Sequence, residues 1–275
     1  MAPMTTRVGQ LLAAAAVAAT VLATAVSPVA AAAEGTRWTY YGKTGPAFWG
    51  SLDKDWRTCD TGRKQTPIDL IPTKSVQRRN LASVSAQFTG SFLPVGVQNG
   101  FKYDCVSDLC GRASWAGVNY KFVQFHMHVS SEHTLNGQVL PAEIHLVHAS
   151  DDGKLLVVGV MLTVGAPNPL LRKMLAAVEK TVTGSDPKKF SRVPISRAEW
   201  ATLVPAGRGF CNYSGSLTTP PCSEGVTWIL SRRVVTASIS QLARLARALL
   251  DSDSVVLTER PVQPLNGRRV VCYGE

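Results

Sequence analysis

Two strand-like segments in the middle of the chain each carry two histidines. Their spacing constrains the fold, because it decides which histidines can lie on the same face of a sheet. In VQFHMHVS, the period-two alternation of a strand puts His126 and His128 on one face. In AEIHLVHAS, the same alternation puts His145 on one face and His148 on the other. An Asn-Gly pair between the segments is a strong turn signal. The pattern predicts that His126, His128 and His145 converge on two paired strands.

Three neutral imidazoles are a typical ligand set for Zn²⁺, and three protein ligands leave a fourth position open, as in catalytic zinc sites. Gln124 and Glu143 each lie two residues before a predicted ligand, on the same face, where they could accept the second N–H of the imidazole. The other two histidines, His133 and His148, lie off this face, and we expect them to form structural hydrogen bonds. Without the third histidine and the polar partners, buried or surface histidines would explain the pattern equally well.

The first 33 residues have the layout of a secretory signal peptide, with Arg7 near the start, a long apolar run, Pro28 and then small residues. We expect cleavage after Ala33, which leaves a single domain over residues 34–275. A retained membrane anchor is the alternative, because the apolar run is long enough to span a bilayer. No later stretch is comparably apolar, which predicts no membrane span after cleavage and a secreted, periplasmic or otherwise extracytoplasmic location.

The chain is basic, with 29 Lys and Arg against 19 Asp and Glu. The basic residues come as scattered doublets rather than as the dense stripe of a nucleic-acid footprint, so we predict no nucleic-acid partner. The sequence leaves the oligomeric state open. All six cysteines follow the predicted leader, and an even count in an exported chain indicates disulfides. Spacing alone allows many connectivities, although Cys105 and Cys110 are close enough to close a local loop.

The rest of the predicted domain is mostly strand-like, with short runs of β-branched and aromatic residues separated by Gly, Pro, Asn and Asp. Two helices interrupt the strands. One follows Asn168 as N-cap with Pro169 in its first turn, and the other opens with a capping box formed by Ser238 and Gln241. These patterns predict a mainly β domain built on a large, mostly antiparallel sheet with a few helices.

Five sequence blocks are similar to those of the α-class carbonic anhydrases and occur in the same order. They are WTYYG…GPAFW, QTPIDL, QFHMH…SEHTLNGQVLPAEIHLVH, YSGSLTTPPCSEGVTWI and RPVQPLNGR, and they span nearly all of residues 34–275. The resemblance implies one domain around a twisted, mostly antiparallel sheet of about ten strands, with Zn²⁺ at the base of a conical cleft.

The resemblance also implies an activity, the reversible hydration of carbon dioxide to bicarbonate and a proton. By resemblance, His126, His128 and His145 are the zinc ligands, and Gln124 and Glu143 are the residues that orient them.

The resemblance assigns further residues to the reaction. Thr218 matches the residue that accepts a hydrogen bond from the zinc-bound hydroxide and donates one to a carboxylate, which here is Glu132. Thr219 would hydrogen-bond bicarbonate. An apolar wall for carbon dioxide is implied at Val147, Val157, Leu217 and Trp228.

The family's extracellular disulfide maps onto Cys59 and Cys222. By resemblance, Cys211 and Cys272 fall on strands that neighbour each other in this fold, so they could form another bridge.

The sequence departs from the family at the residue that carries protons to solvent. Efficient members have a histidine after the Asn-Gly pair that aligns with Asn99 and Gly100, whereas this chain has Phe101. All five histidines lie between residues 126 and 148, so none replaces it. Tyr40 and Asn99 could still order a chain of water molecules. We therefore predict an active enzyme that is limited by proton transfer.

Two other interpretations remain open. His126, His128 and Glu132 also match the start of a cupin motif that binds iron or manganese, but the later Pro-x-Gly-x-x-His of that motif is absent. Some domains similar to carbonic anhydrases have lost metal ligands and act as binding modules. A non-catalytic zinc-binding module is therefore the second alternative, although the predicted ligands, Thr218 and Glu132 are all present.

Overall fold

The computed structural model describes residues 36–78, 85–106, 110–182, 192–204, 209–253 and 257–274. The predicted signal peptide, residues 1–33, lies outside the described residues. Within the described ranges, no helix is both long and apolar enough to cross a membrane.

Sixteen strands and five helices are found in the described ranges. The strands are β1 (Asp69–Leu70), β2 (Val76–Arg78), β3 (Ser85–Phe88), β4 (Gly90–Val97), β5 (Gly100–Cys105), β6 (Gly111–Trp115), β7 (Val118–His128), β8 (Thr134–Leu135), β9 (Gln138–Val139), β10 (Ala142–Ala149), β11 (Leu155–Val164), β12 (Val193–Ile195), β13 (Phe210–Ser216), β14 (Glu224–Ser231), β15 (Val235–Ala237) and β16 (Val271–Tyr273). The helices are α1 (Trp49–Leu52), α2 (Thr58–Thr61), α3 (Pro169–Val182), α4 (Arg197–Ala201) and α5 (Ile239–Asp253).

A single large sheet organises the domain. Ten of its strands follow the order β12-β4-β5-β7-β10-β11-β14-β13-β16-β2, and β3, β6 and β15 pair at its sides. Most neighbouring strands are antiparallel, and the described parallel pairs of this sheet are β11 with β14, β11 with β15, and β16 with β2. The prediction of a mainly β domain with about ten strands and a few helices is confirmed. The strands β7 and β10 lie side by side near the middle of the sheet.

The two long helices cover one face of this sheet. Phe125 and Ile144 point from β7 and β10 into an apolar core that also contains Leu171 of α3 and Leu245 of α5. Both predicted helix starts are present: Asn168 Oδ1 accepts from the Leu171 amide at 3.0 Å, and Ser238 and Gln241 form the capping box at 3.1 and 3.2 Å. Because α3 and α5 occupy this face, the histidines of β7 and β10 that alternate with these core residues are left for the opposite face.

Three disulfides are found in the described chain, two between distant segments and one within a short loop. They join Cys59 to Cys222, Cys105 to Cys110, and Cys211 to Cys272. The first bridge is packed in an aromatic cluster with Trp38, Trp49 and Trp56. The last bridge joins β13 to β16 at a position where the two cysteines face each other in register.

Removal of the Cys59–Cys222 bridge is expected to lower the free energy of unfolding by about 2–5 kcal/mol, because this bridge closes a long loop in the unfolded chain. Its cysteines are 163 positions apart, whereas Cys105 and Cys110 are 5 apart. Urea unfolding of the Cys59→Ser/Cys222→Ser variant measures the loss. The matched Cys105→Ser/Cys110→Ser variant should lose much less, and equal losses would contradict the loop-length argument.

Candidate metal centre

The antiparallel pairing of β7 and β10 brings three histidines together. His145 pairs in register with His126, and His128 lies one side-chain step further along the same face. The ring centroids are 5.1 Å apart for His126 and His128, 5.2 Å for His126 and His145, and 4.6 Å for His128 and His145. One nitrogen of each ring lies within 4.8 Å of the other two. The convergence predicted from strand alternation is therefore present.

Each of these imidazoles uses one ring nitrogen in a hydrogen bond to an acceptor outside the cluster. The pairs are His126 Nδ1 with Gln124 Oε1 at 2.9 Å, His128 Nδ1 with the Thr258 carbonyl at 2.5 Å, and His145 Nε2 with Glu143 Oε1 at 2.9 Å. Since a carbonyl or carboxylate oxygen can only accept, the proton of each neutral ring is held on that nitrogen. A lone pair is left on His126 Nε2, His128 Nε2 and His145 Nδ1.

The free nitrogens form a donor set that fits Zn²⁺. His128 Nε2 is buried and has no hydrogen-bond partner among the described residues, which is costly unless an ion satisfies it. Three imidazole nitrogens at this spacing suit a tetrahedral ion with one further position. The ring orientations are fixed from outside the site, as is usual for metal-bound histidines.

The electrostatics of the site favour neutral imidazoles. Burial lowers the pKa of His126 well below its ordinary value, and the neighbouring rings of His128 and His145 lower it further. Burial also lowers the pKa of His145, although the Glu143 carboxylate offsets part of the shift. Burial opposes ionisation of Glu143, but its interactions with His133 and His145 hold its pKa well below the usual range. The lowered pKa values favour the neutral form of His126 and of His145, which is the form that a metal ligand requires.

Glu143 is in turn held by a buried hydrogen-bond chain. The backbone amide of His133 donates to one carboxylate oxygen at 2.8 Å, and His133 Nδ1 contacts the other at 2.7 Å. His133 Nε2 lies 2.7 Å from the Tyr213 hydroxyl, which donates to Thr66 Oγ1 at 3.1 Å. His133 thus has the structural role that the sequence predicts. The other histidine, His148, directs Nδ1 to the Leu156 carbonyl at 3.3 Å, away from the cluster.

A second acidic side chain, Glu132, faces the histidine cluster. Its Oε1 accepts from the Arg260 amide at 3.0 Å. Its Oε2 is buried without a hydrogen-bond partner among the described residues, 3.5 Å from His128 Nε2 and 3.8 Å from His145 Nδ1. Thr218 is also buried, in the turn after β13, but no hydrogen bond joins it to Glu132 in the described part of the chain. The hydrogen bond from Thr218 to Glu132 therefore remains a prediction, and Glu132 Oε2 is available as its acceptor.

The predicted apolar residues form one wall beside the histidines. Val147 pairs with Val157 across β10 and β11, and Val157 pairs with Trp228 across β11 and β14. All three are buried in one cluster, and Leu217 packs against it. The Trp228 ring lies 4.8 Å from the His145 ring, so the wall reaches the metal site. Thr219 is half-buried next to Thr218.

Tyr40 and Asn99 lie together at the aromatic cluster of the N-terminal segment. The Tyr40 ring packs edge-on against Trp38 at 5.3 Å and Trp49 at 5.8 Å. Asn99 Nδ2 donates to the Trp38 carbonyl at 2.8 Å, so this amide anchors the segment. Burial raises the pKa of Tyr40 well above its ordinary value, and the carboxylates of Glu132 and Glu259 raise it further, which keeps the phenol neutral.

The position of Phe101 requires a correction to the sequence-based prediction. Lys102 pairs with His126 across β5 and β7, so Lys102 lies on the metal face and Phe101 on the opposite one. The Phe101 side chain is 3% exposed and is part of the core under the helices, with its ring 5.9 Å from Tyr103. A histidine at 101 would therefore be buried in that core rather than placed in the cleft.

Thr258 and Tyr213 were not identified from the sequence. Thr258 acts through its backbone carbonyl, for which no side-chain signal exists, at a distance of 130 positions from His128. Tyr213 reaches the site through its hydrogen bond with His133, and its ring also stacks on Trp228.

Together, the fold and the site are typical of a class of metalloenzyme in which three imidazoles on adjacent strands of a large sheet can hold one ion beside an apolar wall. The family model for eukaryotic-type carbonic anhydrase matches residues 44–274. A carbonic anhydrase from Nostoc sp. is 36% identical over 243 residues, which are 88% of this chain and 88% of that protein.

Solved structures agree. The α-carbonic anhydrase from Thermovibrio ammonificans, in complex with the inhibitor sulfanilamide, has a TM-score of 0.74 and 36% identity, covering 86% of this chain and 99% of that one. Dioscorin complexed with ascorbate has a TM-score of 0.79 and 28% identity, covering 87% and 98%. The chain belongs to the eukaryotic-type carbonic anhydrase family, the α class, and is an enzyme of the carbonate dehydratase type.

Proposed function

We propose that this protein is a zinc-dependent carbonic anhydrase that reversibly hydrates carbon dioxide to bicarbonate and a proton. The observation that carries the proposal is the convergence of three lone-pair nitrogens, from His126, His128 and His145, whose second nitrogens are all engaged. When bound, Zn²⁺ supplies a water ligand with a pKa of about 7, a value for which carbonic anhydrase is itself the reference case.

Thr218 and Glu132 would orient the attacking group. A carboxylate only accepts hydrogen bonds, and Glu132 Oε2 is buried and unpaired in the described chain, so the Thr218 hydroxyl would direct its proton there. The Thr218 oxygen can then only accept a hydrogen bond from the attacking group. The hydrogen of the attacking group would therefore point toward Thr218. Thr219 would hydrogen-bond the bicarbonate product.

Carbon dioxide is uncharged, so an apolar surface holds it better than a polar one does. Val147, Val157, Leu217 and Trp228 would supply this surface, because they form one cluster whose Trp228 ring lies beside His145. We propose that these residues hold the substrate carbon within reach of the attacking group.

Release of the proton would limit turnover. The five histidines of the chain lie between residues 126 and 148, and Phe101 points into the core, so no imidazole is available as a shuttle at the aligned position. We also propose an extracytoplasmic location for the mature protein, supported by the signal-like residues 1–33 and by three disulfides.

Stopped-flow hydration combined with metal analysis tests this function. We expect about one zinc per chain, loss of hydration after removal of the ion with a chelator, and recovery when Zn²⁺ is added. Turnover of the loaded enzyme should rise with buffer concentration. A zinc-loaded protein without hydration activity would instead indicate a binding module, and iron or manganese in place of zinc would indicate cupin-type chemistry.

A further inference from the structure

Glu259 is a carboxyl group close to the metal centre that the proposed mechanism does not yet use. Its two neighbours in the chain both support the site, because the Thr258 carbonyl accepts from His128 and the Arg260 amide donates to Glu132. The Glu259 side chain is half-buried, and its Oε2 is buried with no hydrogen-bond partner among the described residues. An unsatisfied buried oxygen in a native protein calls for a functional or solvent-based explanation.

A cavity of about 450 Å³ connects this carboxyl group to the surface. Tyr40 and Glu259 line its half-buried part, and the exposed residues Tyr41, Gly42 and Ala47 line its mouth. The cavity is large enough for several water molecules, and it has polar groups for them to contact. Tyr40 and Glu259 both line this cavity, and both interact electrostatically with the Glu132 carboxylate beside the histidine cluster. The cavity therefore gives solvent access to a carboxyl group in the neighbourhood of the metal site.

The charged and titratable groups around Glu259 come from three segments. Burial raises the pKa of Glu259, contacts with its own backbone and with Ser130 offset part of the shift, and the Glu132 carboxylate raises it again. Tyr40 stays neutral for the reasons given above. The Arg260 guanidinium is directed away, since it donates to Gln65, Thr66 and Cys59 at 2.8–2.9 Å. A carboxyl group that titrates nearer to neutral pH is a better proton carrier, because its pKa is closer to the working pH.

We propose that Glu259 accepts the proton released by carbon dioxide hydration and passes it to buffer at the mouth of this cavity. The proposal rests on the proposed function. Water and carbon dioxide give bicarbonate and one proton. The proton moves along water to the Glu259 carboxylate, which becomes a carboxylic acid. A buffer base then removes the proton and restores the carboxylate, so that charge and atoms balance without any redox change.

The Glu259→Gln variant tests this role, because the amide keeps the shape of the side chain and cannot carry the proton. In weak buffer we expect kcat to fall about 100-fold, which is the low end of what a positioned proton acceptor contributes. The ratio kcat/KM should not change, because the proton leaves after bicarbonate is formed. Concentrated imidazole buffer should restore kcat. The control is Glu179→Gln, which removes an ion pair with Arg244 between α3 and α5 and should leave both parameters unchanged.

A second measurement does not depend on turnover. Infrared spectra of the zinc-free proteins should show one protonated-carboxyl band in the wild type that is absent from Glu259→Gln. This band should persist above the pH at which exposed glutamates ionise. The proposal would be overturned if the Glu259→Gln variant had the same kcat as the wild type in weak buffer, or if kcat and kcat/KM fell equally. Neither result would contradict the proposed carbonic anhydrase function. Absence of hydration by wild-type enzyme in concentrated buffer would overturn the proposed function, and this inference with it.

Discussion

Replacement of His145 by alanine is expected to abolish tight zinc binding and to reduce carbon dioxide hydration to the uncatalysed rate. His145 supplies one of the three nitrogens of the cluster, and its ring lies 5.2 and 4.6 Å from the other two rings. Loss of a residue that only orients a ligand typically costs about 10–100-fold in metal affinity, so loss of a ligand should cost more than about 100-fold. Competition with a zinc-chelating dye measures the affinity, and stopped-flow spectroscopy measures the hydration.

Gln124→Ala provides the graded comparison for this experiment. Gln124 contacts only the outer nitrogen of His126, at 2.9 Å, so its loss should weaken zinc binding about 10–100-fold without abolishing it. Thermal melting of the zinc-free proteins separates a loss of metal affinity from a loss of fold. Zinc affinity of His145→Ala equal to that of the wild type would show that the three imidazoles do not share an ion.

Replacement of Thr218 by valine is expected to lower kcat/KM for carbon dioxide about 10²–10³-fold, with zinc content unchanged. Valine keeps the shape of the side chain but removes the hydroxyl that would join Glu132 to the attacking group. Removal of one oriented hydrogen bond at a reacting atom has effects of this size in other enzymes. Stopped-flow assays of the zinc-loaded variant give the ratio.

Thr218→Ser is the matched control, because serine keeps the hydroxyl and should retain most of the activity. If valine and serine variants were equally active, the hydroxyl would have no part in orienting the attacking group. The unpaired Glu132 Oε2 would then need another explanation.

Period-two alternation is an exact geometric property of a strand, and for this reason the sequence could predict the histidine cluster. Alternation alone puts His126 and His128 on one face of β7, and the register in which β10 pairs with β7 adds His145 to that face. The starts of α3 and α5 were equally predictable, because their capping residues act within a few positions of one another.

The face on which Phe101 lies could not be predicted in this way. Asn99 in the turn and Gly100 at the start of β5 precede it, both with positive φ, 62° and 157°. The conformation of such a turn decides which residue of the next strand faces the core, and a shift by one residue exchanges the two faces. The resemblance aligned residue 101 with the cleft, whereas the pairing of Lys102 with His126 turns the ring of Phe101 to the core.

The roles of Glu259 and Thr258 could not be predicted from the sequence for a different reason. Their importance comes from contacts with residues 128–132, which are more than a hundred positions away. No local pattern in TERPVQP shows that one carbonyl supports a ligand or that one carboxylate borders a cavity.

The backbone acceptor of His128 couples the metal centre to a segment late in the chain. No substitution of a side chain can delete a main-chain carbonyl, so a point mutation at 258 leaves the acceptor of His128 in the chain. The orientation of this ring does depend on the backbone there being docked, which the Gln263 amide secures by donating to the Pro67 carbonyl at 2.7 Å. A growing polypeptide that has not yet reached Thr258 lacks one of the three supports that aim the imidazoles. High-affinity binding of the ion would therefore require the segment around Thr258 to be docked.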